Sequence, residues 1–228
     1  MKAAASLSGD RREEIYETPW GSGRLVTVGD LPLELDLPDM SRSAGKAPQV
    51  EPGTGQMAGP EAGQRVVSVA GQRVRTASPP ASLWRRLLER YFAGQHVTFK
   101  MDAAAFAAAR RCTRFSAAVY AALATVPYGE VVSYRDLAVL AGHPNAYRAV
   151  GSAMARNPLP VILPCHRVIK SDGVCGKYGA DSSWKPRLLA LEGRSVDASG
   201  KVRTSGKVCT SGEVRASDEA RASGEVRP

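Results

Sequence analysis

The sequence predicts a mixed α/β protein (α+β in character) with an N-terminal α/β unit, a C-terminal winged helix-turn-helix unit and a repetitive tail. Three observations lead there. Two β-like runs lie near the start, 24–28 and 31–37, and the second carries leucine at every other position, the period of a half-buried strand. Apolar residues then recur at helical spacing over 84–92 and again over 115–126. Finally, two short helical segments flank a tight glycine-containing turn at 142–144, and a second turn, Ser171-Asp172-Gly173, follows between two short strands.

Taken in order, residues 1–12 are polar and expected to be disordered, and 13–109 form the N-terminal α/β unit. Within it Gly21, Gly23, Gly29 and Asp30 mark turns between strands. Pro32 suits an edge or the start of a strand, because it donates no ladder hydrogen bond. Residues 39–63, rich in Pro, Gly and Ser, read as a flexible insertion, and 66–74 as a further strand pair around Gly71-Gln72. Trp84, Leu87, Leu88, Tyr91 and Phe92 define one helix face, and Gly94 ends the run.

Residues 110–194 form the second unit. Phe115, Val119, Ala122, Leu123 and Val126 share a helix face that stops at Pro127-Tyr128-Gly129. Ser133-x-x-Asp136 has the form of a capping box and opens a helix through Leu137 and Leu140. Asn145 is expected to cap the next helix, 146–156, which is a candidate for reading nucleic acid. A last helix is expected from Trp184 to Leu191, with Pro186 in its first turn and Gly193 closing it. Residues 195–228 are expected to be disordered. From 199 onward they divide into five hexapeptides, SGKVRT, SGKVCT, SGEVRA, SDEARA and SGEVRP, each offering at most one valine and no aromatic.

Composition narrows the class. Apolar runs are far too short to span a bilayer and the N-terminus lacks a secretory apolar stretch, so a cytoplasmic protein without membrane partners is expected. Four cysteines at irregular spacings and only three histidines make a poor zinc site, so no metal is expected. Net charge is +9, and 110–193 carry eleven Lys/Arg against five Asp/Glu, a local balance of +6 that suits a polyanion. A basic protein with a merely solvated surface fits that charge nearly as well. The most informative stretch is 163–169, where Cys165 stands beside His166 in the order Pro-Cys-His-Arg. Only a thiolate is a strong nucleophile, and a neighbouring base is the usual means of generating one.

With these residues the chain resembles the O6-alkylguanine-DNA alkyltransferases. The resemblance runs from about Phe115 to Gly193. It rests on 126–134 (VPYGEVVSY), Arg148-Ala149-Val150-Gly151-Ser152-Ala153-Met154, Asn157-Pro158, 164–169 (PCHRVI), Gly176-Lys177-Tyr178, Lys185 and 188–193 (LLALEG). It implies a single-turnover DNA repair protein acting as a monomer on double-stranded DNA that contains alkylated guanine. The alkyl group on guanine O6, with thymine O4 as a second candidate, would pass irreversibly to Cys165 without a cofactor. His166 would accept the thiol proton through a bridging water, and Glu192 would orient His166. Tyr134 would serve the leaving base at N3, and Asn157 would tie the second helix to the acceptor. Arg148 would enter the duplex as the base leaves it, with Ala149, Gly151, Ser152 and Ala153 letting the helix approach closely. Val168, Tyr178, Gly179 and Lys185 would line the substrate pocket. After Tyr178 the family usually has a small residue and then glycine, whereas this chain has Gly179-Ala180-Asp181, and Asp181 brings charge and bulk to the pocket mouth. Two other readings fit parts of the sequence: a module that binds alkylation damage without repairing it, and a helix-turn-helix regulator with Cys165 as a redox sensor.

Overall fold

A computed structural model describes residues 9–39, 65–69, 72–76, 82–176, 178–179 and 181–203. The chain opens with an antiparallel meander, β1 (Arg11–Thr18), β2 (Gly21–Val28) and β3 (Leu31–Asp36), in the order β1-β2-β3. β1 therefore begins inside the segment expected to be disordered. Charged side chains made 9–12 look unstructured, but a strand needs only backbone partners, and Arg11 pairs with Val28. Gly23 is required where it stands: the Tyr16 ring lies across it, and a Cβ there would come within 2.2 Å of that ring. Tyr16 also donates from its hydroxyl to the Asp36 carbonyl at 2.7 Å, tying β1 to β3. Pro32 sits in β3, at the edge of the sheet.

β4 (Arg65–Val69) and β5 (Gln72–Thr76) form the expected antiparallel pair. Residues 1–8 and all of the expected insertion 39–63 except Asp39 lie outside the described residues.

Helix α1 (Leu83–Phe92) starts at Ser82, whose hydroxyl accepts from the Arg85 N–H. It buries Trp84, Leu88, Tyr91 and Phe92. Trp84 donates from its indole N–H to the Asp30 carbonyl at 2.7 Å, which fixes α1 to the β2–β3 turn. A seven-residue helix, α2 (Ala103–Ala109), was not foreseen. Its alanine-rich sequence has no apolar period to read, and it is started by the Asp102 carboxylate accepting two N–H groups.

Next come α3 (Arg114–Ala124), β6 (Val132–Ser133), α4 (Tyr134–Leu140), α5 (Tyr147–Ala155), β7 (Val168–Ile169) and α6 (Trp184–Leu191). Ser133 caps α4 as expected: its Oγ accepts from the Asp136 N–H at 3.0 Å, and it donates to the Asp136 carboxylate at 2.6 Å, so the acidic side chain bonds the capping hydroxyl. Asn145 is not the cap of α5. Ala146 holds that position without a side-chain bond, and its own N–H goes to the His143 carbonyl, so backbone alone closes the turn. β6 pairs with β7 in parallel over two residues.

A continuous core joins the two halves. Tyr16 stacks on Phe92, Phe92 meets Trp184 edge-on, and Trp20 stacks on Trp184 at 5.6 Å. Helix α1 is thereby clamped between the meander and α6, and this arrangement positions the site.

The expected disorder from 195 does not hold for 195–203. Val174 pairs with Lys201 and Val196 with Val202, and the Val202 N–H donates to Gly173. Asp197 accepts the N–H groups of Ser199 and Lys201 and so makes the turn. Val202 is buried against Val131, Ile169, Cys175 and Leu189. One valine per repeat is too little to build a core, but it suffices to fill one that exists. Residues 204–228 lie outside the described residues. Replacement Val202→Ala removes two buried methylene equivalents and is expected to cost about 1–2 kcal/mol. That loss should appear as a lower urea midpoint at constant m-value; an unmoved midpoint would mean that the Val202 side chain contributes nothing.

Candidate active site

Three pieces of chain converge on Cys165. The first is the segment leaving α5. Asn157 donates from Nδ2 to the Leu163 carbonyl at 2.8 Å and to Cys165 Sγ at 3.0 Å, while its Oδ1 accepts from the Leu159 N–H. A single amide thus links the end of the helix to the sulfur. Between them Val161 takes φ 74°, a left-handed conformation that β-branched residues rarely adopt. Complete burial of 161 and the bonds Ile162 N–H to Pro160 and Leu163 N–H to Leu159 hold it there.

The second piece is a 3₁₀ turn, Cys165–Arg167, buried throughout. Cys165 Sγ lies 3.7 Å from the Tyr178 hydroxyl. Burial pushes the thiol up, while Asn157, Tyr178 and the Lys185 ammonium pull it back. Lys185 is only 1% exposed, so it is no surface charge; its Nζ donates to the Val168 carbonyl at 2.5 Å and stands 5.8 Å over the Tyr134 ring. Burial lowers the Lys185 ammonium. Burial also raises the Tyr134 phenol, and the sulfurs of Cys165 and Cys175 act in the same direction.

The third piece is the end of α6. Glu192 is its C-cap and is buried, where a solvated charge would be the plainest expectation. Its Oε1 meets His166 Nε2 at 2.8 Å, Arg167 Nη2 at 2.8 Å and the Tyr91 hydroxyl at 2.8 Å. Its Oε2 accepts from Arg167 Nε at 2.9 Å and from the Gly129 N–H at 3.0 Å. Burial alone would raise this carboxyl, but His166 and Arg167 hold it far below the usual carboxylate range. Burial lowers His166 despite the adjacent carboxylate, so the ring is neutral. An ionised Glu192 against Nε2 places the ring proton on Nε2 and leaves Nδ1 as an acceptor. Nδ1 is buried and has no hydrogen-bond partner among the described residues.

Of the expected site residues, Cys165, His166, Glu192, Asn157, Tyr178, Lys185, Val168 and Tyr134 are therefore tied together by contacts or shared electrostatics. Gly179 lies beside them, exposed, at φ 49°. On α5, Arg148, Ala149 and Ser152 are exposed and Gly151 is partly so. Contrary to expectation Ala153 does not face outward with them: it is fully buried and its carbonyl accepts from the Tyr120 hydroxyl. The helical period turns Val150, Ala153 and Met154 inward together. A groove of about 780 Å³ opens beside Pro164 and Arg167, but Cys165 does not line it, so it is not the acceptor's pocket.

Sequence reasoning gave no role to Arg167 or Tyr91. A signal existed for Arg167: a guanidinium inside the apolar run 161–169 must find a buried carboxylate. Tyr91 carried none beyond its place on a helix face. Among the described residues no group of His, Cys, Asp and Glu could hold a metal, and no helix is long and apolar enough to cross a membrane.

A buried thiol, an imidazole held in one tautomer and a fully bonded carboxylate stand together in a mixed α/β fold. The profile described as the 6-O-methylguanine DNA methyltransferase DNA-binding domain matches residues 114–194. The methylated-DNA–protein-cysteine methyltransferase of Methanosarcina barkeri is 45% identical over 107 residues, 47% of this chain and 65% of that protein. An arginine-to-leucine variant of the Mycobacterium tuberculosis O6-methylguanine methyltransferase is 30% identical with a TM-score of 0.51, over 80% of this chain and 93% of that one. Mycobacterium tuberculosis OGT, solved in complex with DNA, is 29% identical with a TM-score of 0.52, over 79% and 92%. The chain belongs to the O6-methylguanine-DNA methyltransferase family. It spans 34% to 65% of the length of the curated relatives it matches first.

The buried network fixes how stability responds to acid. Glu192 titrates below its unfolded value, so its contribution is complete above the usual carboxylate range and is lost as pH falls through and below it. His166, lowered by burial, adds an earlier loss as pH falls below the usual imidazole range. Glu192→Gln leaves Arg167 buried without a counter-charge and is expected to cost about 3 kcal/mol at neutral pH. It should also abolish the later acid loss, both read from urea midpoints across pH 3–8 on the order of half-unit steps; an unchanged acid profile would show that the carboxylate is not the titrating group.

Proposed function

We propose that this protein repairs DNA by taking the alkyl group from O6 of guanine onto Cys165 in a single irreversible transfer. The observation that carries the reading is the Cys165 centre itself. Its sulfur is held by Asn157, and the imidazole next in sequence is fixed by Glu192 with Nδ1 left to accept. The relatives' names and the DNA complex of the Mycobacterium tuberculosis protein supply the substrate class.

In this reading the Cys165 proton passes through a bridging water to His166 Nδ1, and the resulting imidazolium is stabilised by Glu192. The thiolate attacks the alkyl carbon in line with O6. The S–C bond forms as the C–O6 bond breaks, and its electron pair moves into the guanine ring. Tyr134 hydrogen-bonds N3 and neutralises that charge as the base becomes guanine. Lys185, buried near the sulfur, favours the thiolate over the thiol. Val168, Tyr178 and Gly179 bound the pocket, with the Asp181 carboxylate near its mouth.

The base must leave the stack to be reached. Helices α3 to α5 with the 168–174 turn are assigned here as a winged helix-turn-helix domain spanning 110–194. Its α5 would present Arg148, Ala149 and Ser152 to the duplex, with Arg148 filling the space the base vacates. The region's positive balance, eleven basic against five acidic residues over 110–193, fits a phosphate backbone and implies affinity that falls with salt. The protein acts as a monomer in the cytoplasm.

Incubation with duplex DNA bearing O6-methylguanine is expected to add one methyl group, near +14 Da on the order of one equivalent per chain, to the peptide containing Cys165. Intact mass and peptide mapping read this directly; DNA binding with no adduct would identify a damage-recognition module instead. Arg148→Ala should slow repair in duplex DNA by about tenfold or more while leaving reaction with the free base O6-benzylguanine unchanged. Equal slowing of both would remove Arg148 from base extrusion.

A further inference from the structure

Among the described residues, Tyr91 is the one member of the buried network that comes from the N-terminal half. It lies 101 residues before Glu192, yet its hydroxyl donates to Oε1 at 2.8 Å and stands 3.4 Å from His166 Nε2. Its ring is fully buried and enclosed edge-on by Phe92 and Tyr128, with Phe99 tilted against it. The helix that carries it is anchored to the meander at two points: Trp84 donates to the Asp30 carbonyl, and the Ser82 N–H donates to Glu14. The hydroxyl therefore has one place to go, and the sheet decides where that is.

We propose that Tyr91 is a positioning residue for the transfer reaction, by which the N-terminal half holds Glu192 and through it the orientation of the His166 ring. The inference rests on the function proposed above. Glu192 Oε1 receives three groups, and of these only Tyr91 comes from the N-terminal half of the fold. The charged and titratable groups around His166 are Glu192 after α6, Arg167 on its own turn, Lys185 on α6, Cys165 beside it and Tyr91 on α1; Tyr128 faces the same carboxylate. The Tyr91 hydroxyl draws negative charge from Oε1. Without it the carboxylate stabilises imidazolium more strongly, so His166 titrates higher and the ring loses one of its restraints.

The test compares Tyr91→Phe with Tyr16→Phe in the full chain. Both remove one buried hydroxyl from the N-terminal half, but Tyr16 bonds only the Asp36 carbonyl, away from the site. Two readouts are used. The ring nitrogens of His166 are titrated by NMR in a protein with three histidines, and the rate of Cys165 alkylation by free O6-benzylguanine is followed across pH. Tyr91→Phe should raise the His166 titration and the acid limb of the rate together by about half a pH unit. It should also slow alkylation at pH 7 by about three- to tenfold. Tyr16→Phe should leave titration and rate at wild-type values. An unshifted or lowered His166 titration in Tyr91→Phe, or the same changes in Tyr16→Phe, overturns the proposal. Wild-type protein inert to O6-benzylguanine and to alkylated DNA would overturn the function instead, and the His166 titration would still decide the role of Tyr91.

Discussion

The buried carboxylate of Glu192 is the constraint on which the site depends. Moving such a charge out of water costs several kcal/mol even after relaxation, and a partial set of partners would not offset it. Here five donors reach its two oxygens, from α1, from the loop before β6 and from the 3₁₀ turn. Each donor is useful only if its own element is in place. The carboxylate therefore aligns the end of α6, the Cys165 turn and the N-terminal half in one operation. Gly129 shows how closely this is fitted: at φ 73° it turns its N–H to Glu192 Oε2, and a Cβ there would come within 3.1 Å of the Glu192 carbonyl.

Arg167 has two tasks in that arrangement. It makes a bidentate pair with Glu192 and also donates to the Val126 carbonyl at the end of the α3 segment. Its charge keeps Glu192 ionised while burial keeps His166 neutral, and these two effects together assign the tautomer. A neutral ring with its proton directed at a carboxylate is a base. Beside a protonated carboxyl, which can both donate and accept, the ring could take either tautomer.

Asn157 is the corresponding link on the other side of the sulfur. It connects the end of α5 to Cys165 across eight residues, and the strained backbone at Val161 turns the chain between them. In the function proposed here, the helix that meets DNA and the atom that accepts the alkyl group thus share one amide. Few side chains could replace Asn157, because it must donate to sulfur and carbonyl while accepting from the Leu159 N–H.

Much of this was legible in the chain. Leucine alternation marked β3, the 84–92 spacing marked α1, Ser133 and Asp136 marked the start of α4, and Cys165-His166 marked the centre of the candidate site. These are local signals, since caps, periods and neighbouring functional groups act over a few residues. Other features were not local. Helix α2 has no period to display. Ala153 looks like its exposed neighbours until the helix is docked and turns it inward. Val202 belongs to a repeat too poor in apolar residues to fold alone, and it is ordered by a pocket that Val131, Ile169 and Leu189 supply. Sequence by itself determined which groups could react and which short segments would be helix or strand, because those depend on bonded neighbours and on spacing along one chain. Tertiary structure alone decided that Glu192 would be buried, that Arg167 and Tyr91 would meet it and that His166 would be neutral. Those outcomes come from desolvation and from contacts across as many as 101 residues, which no local pattern records.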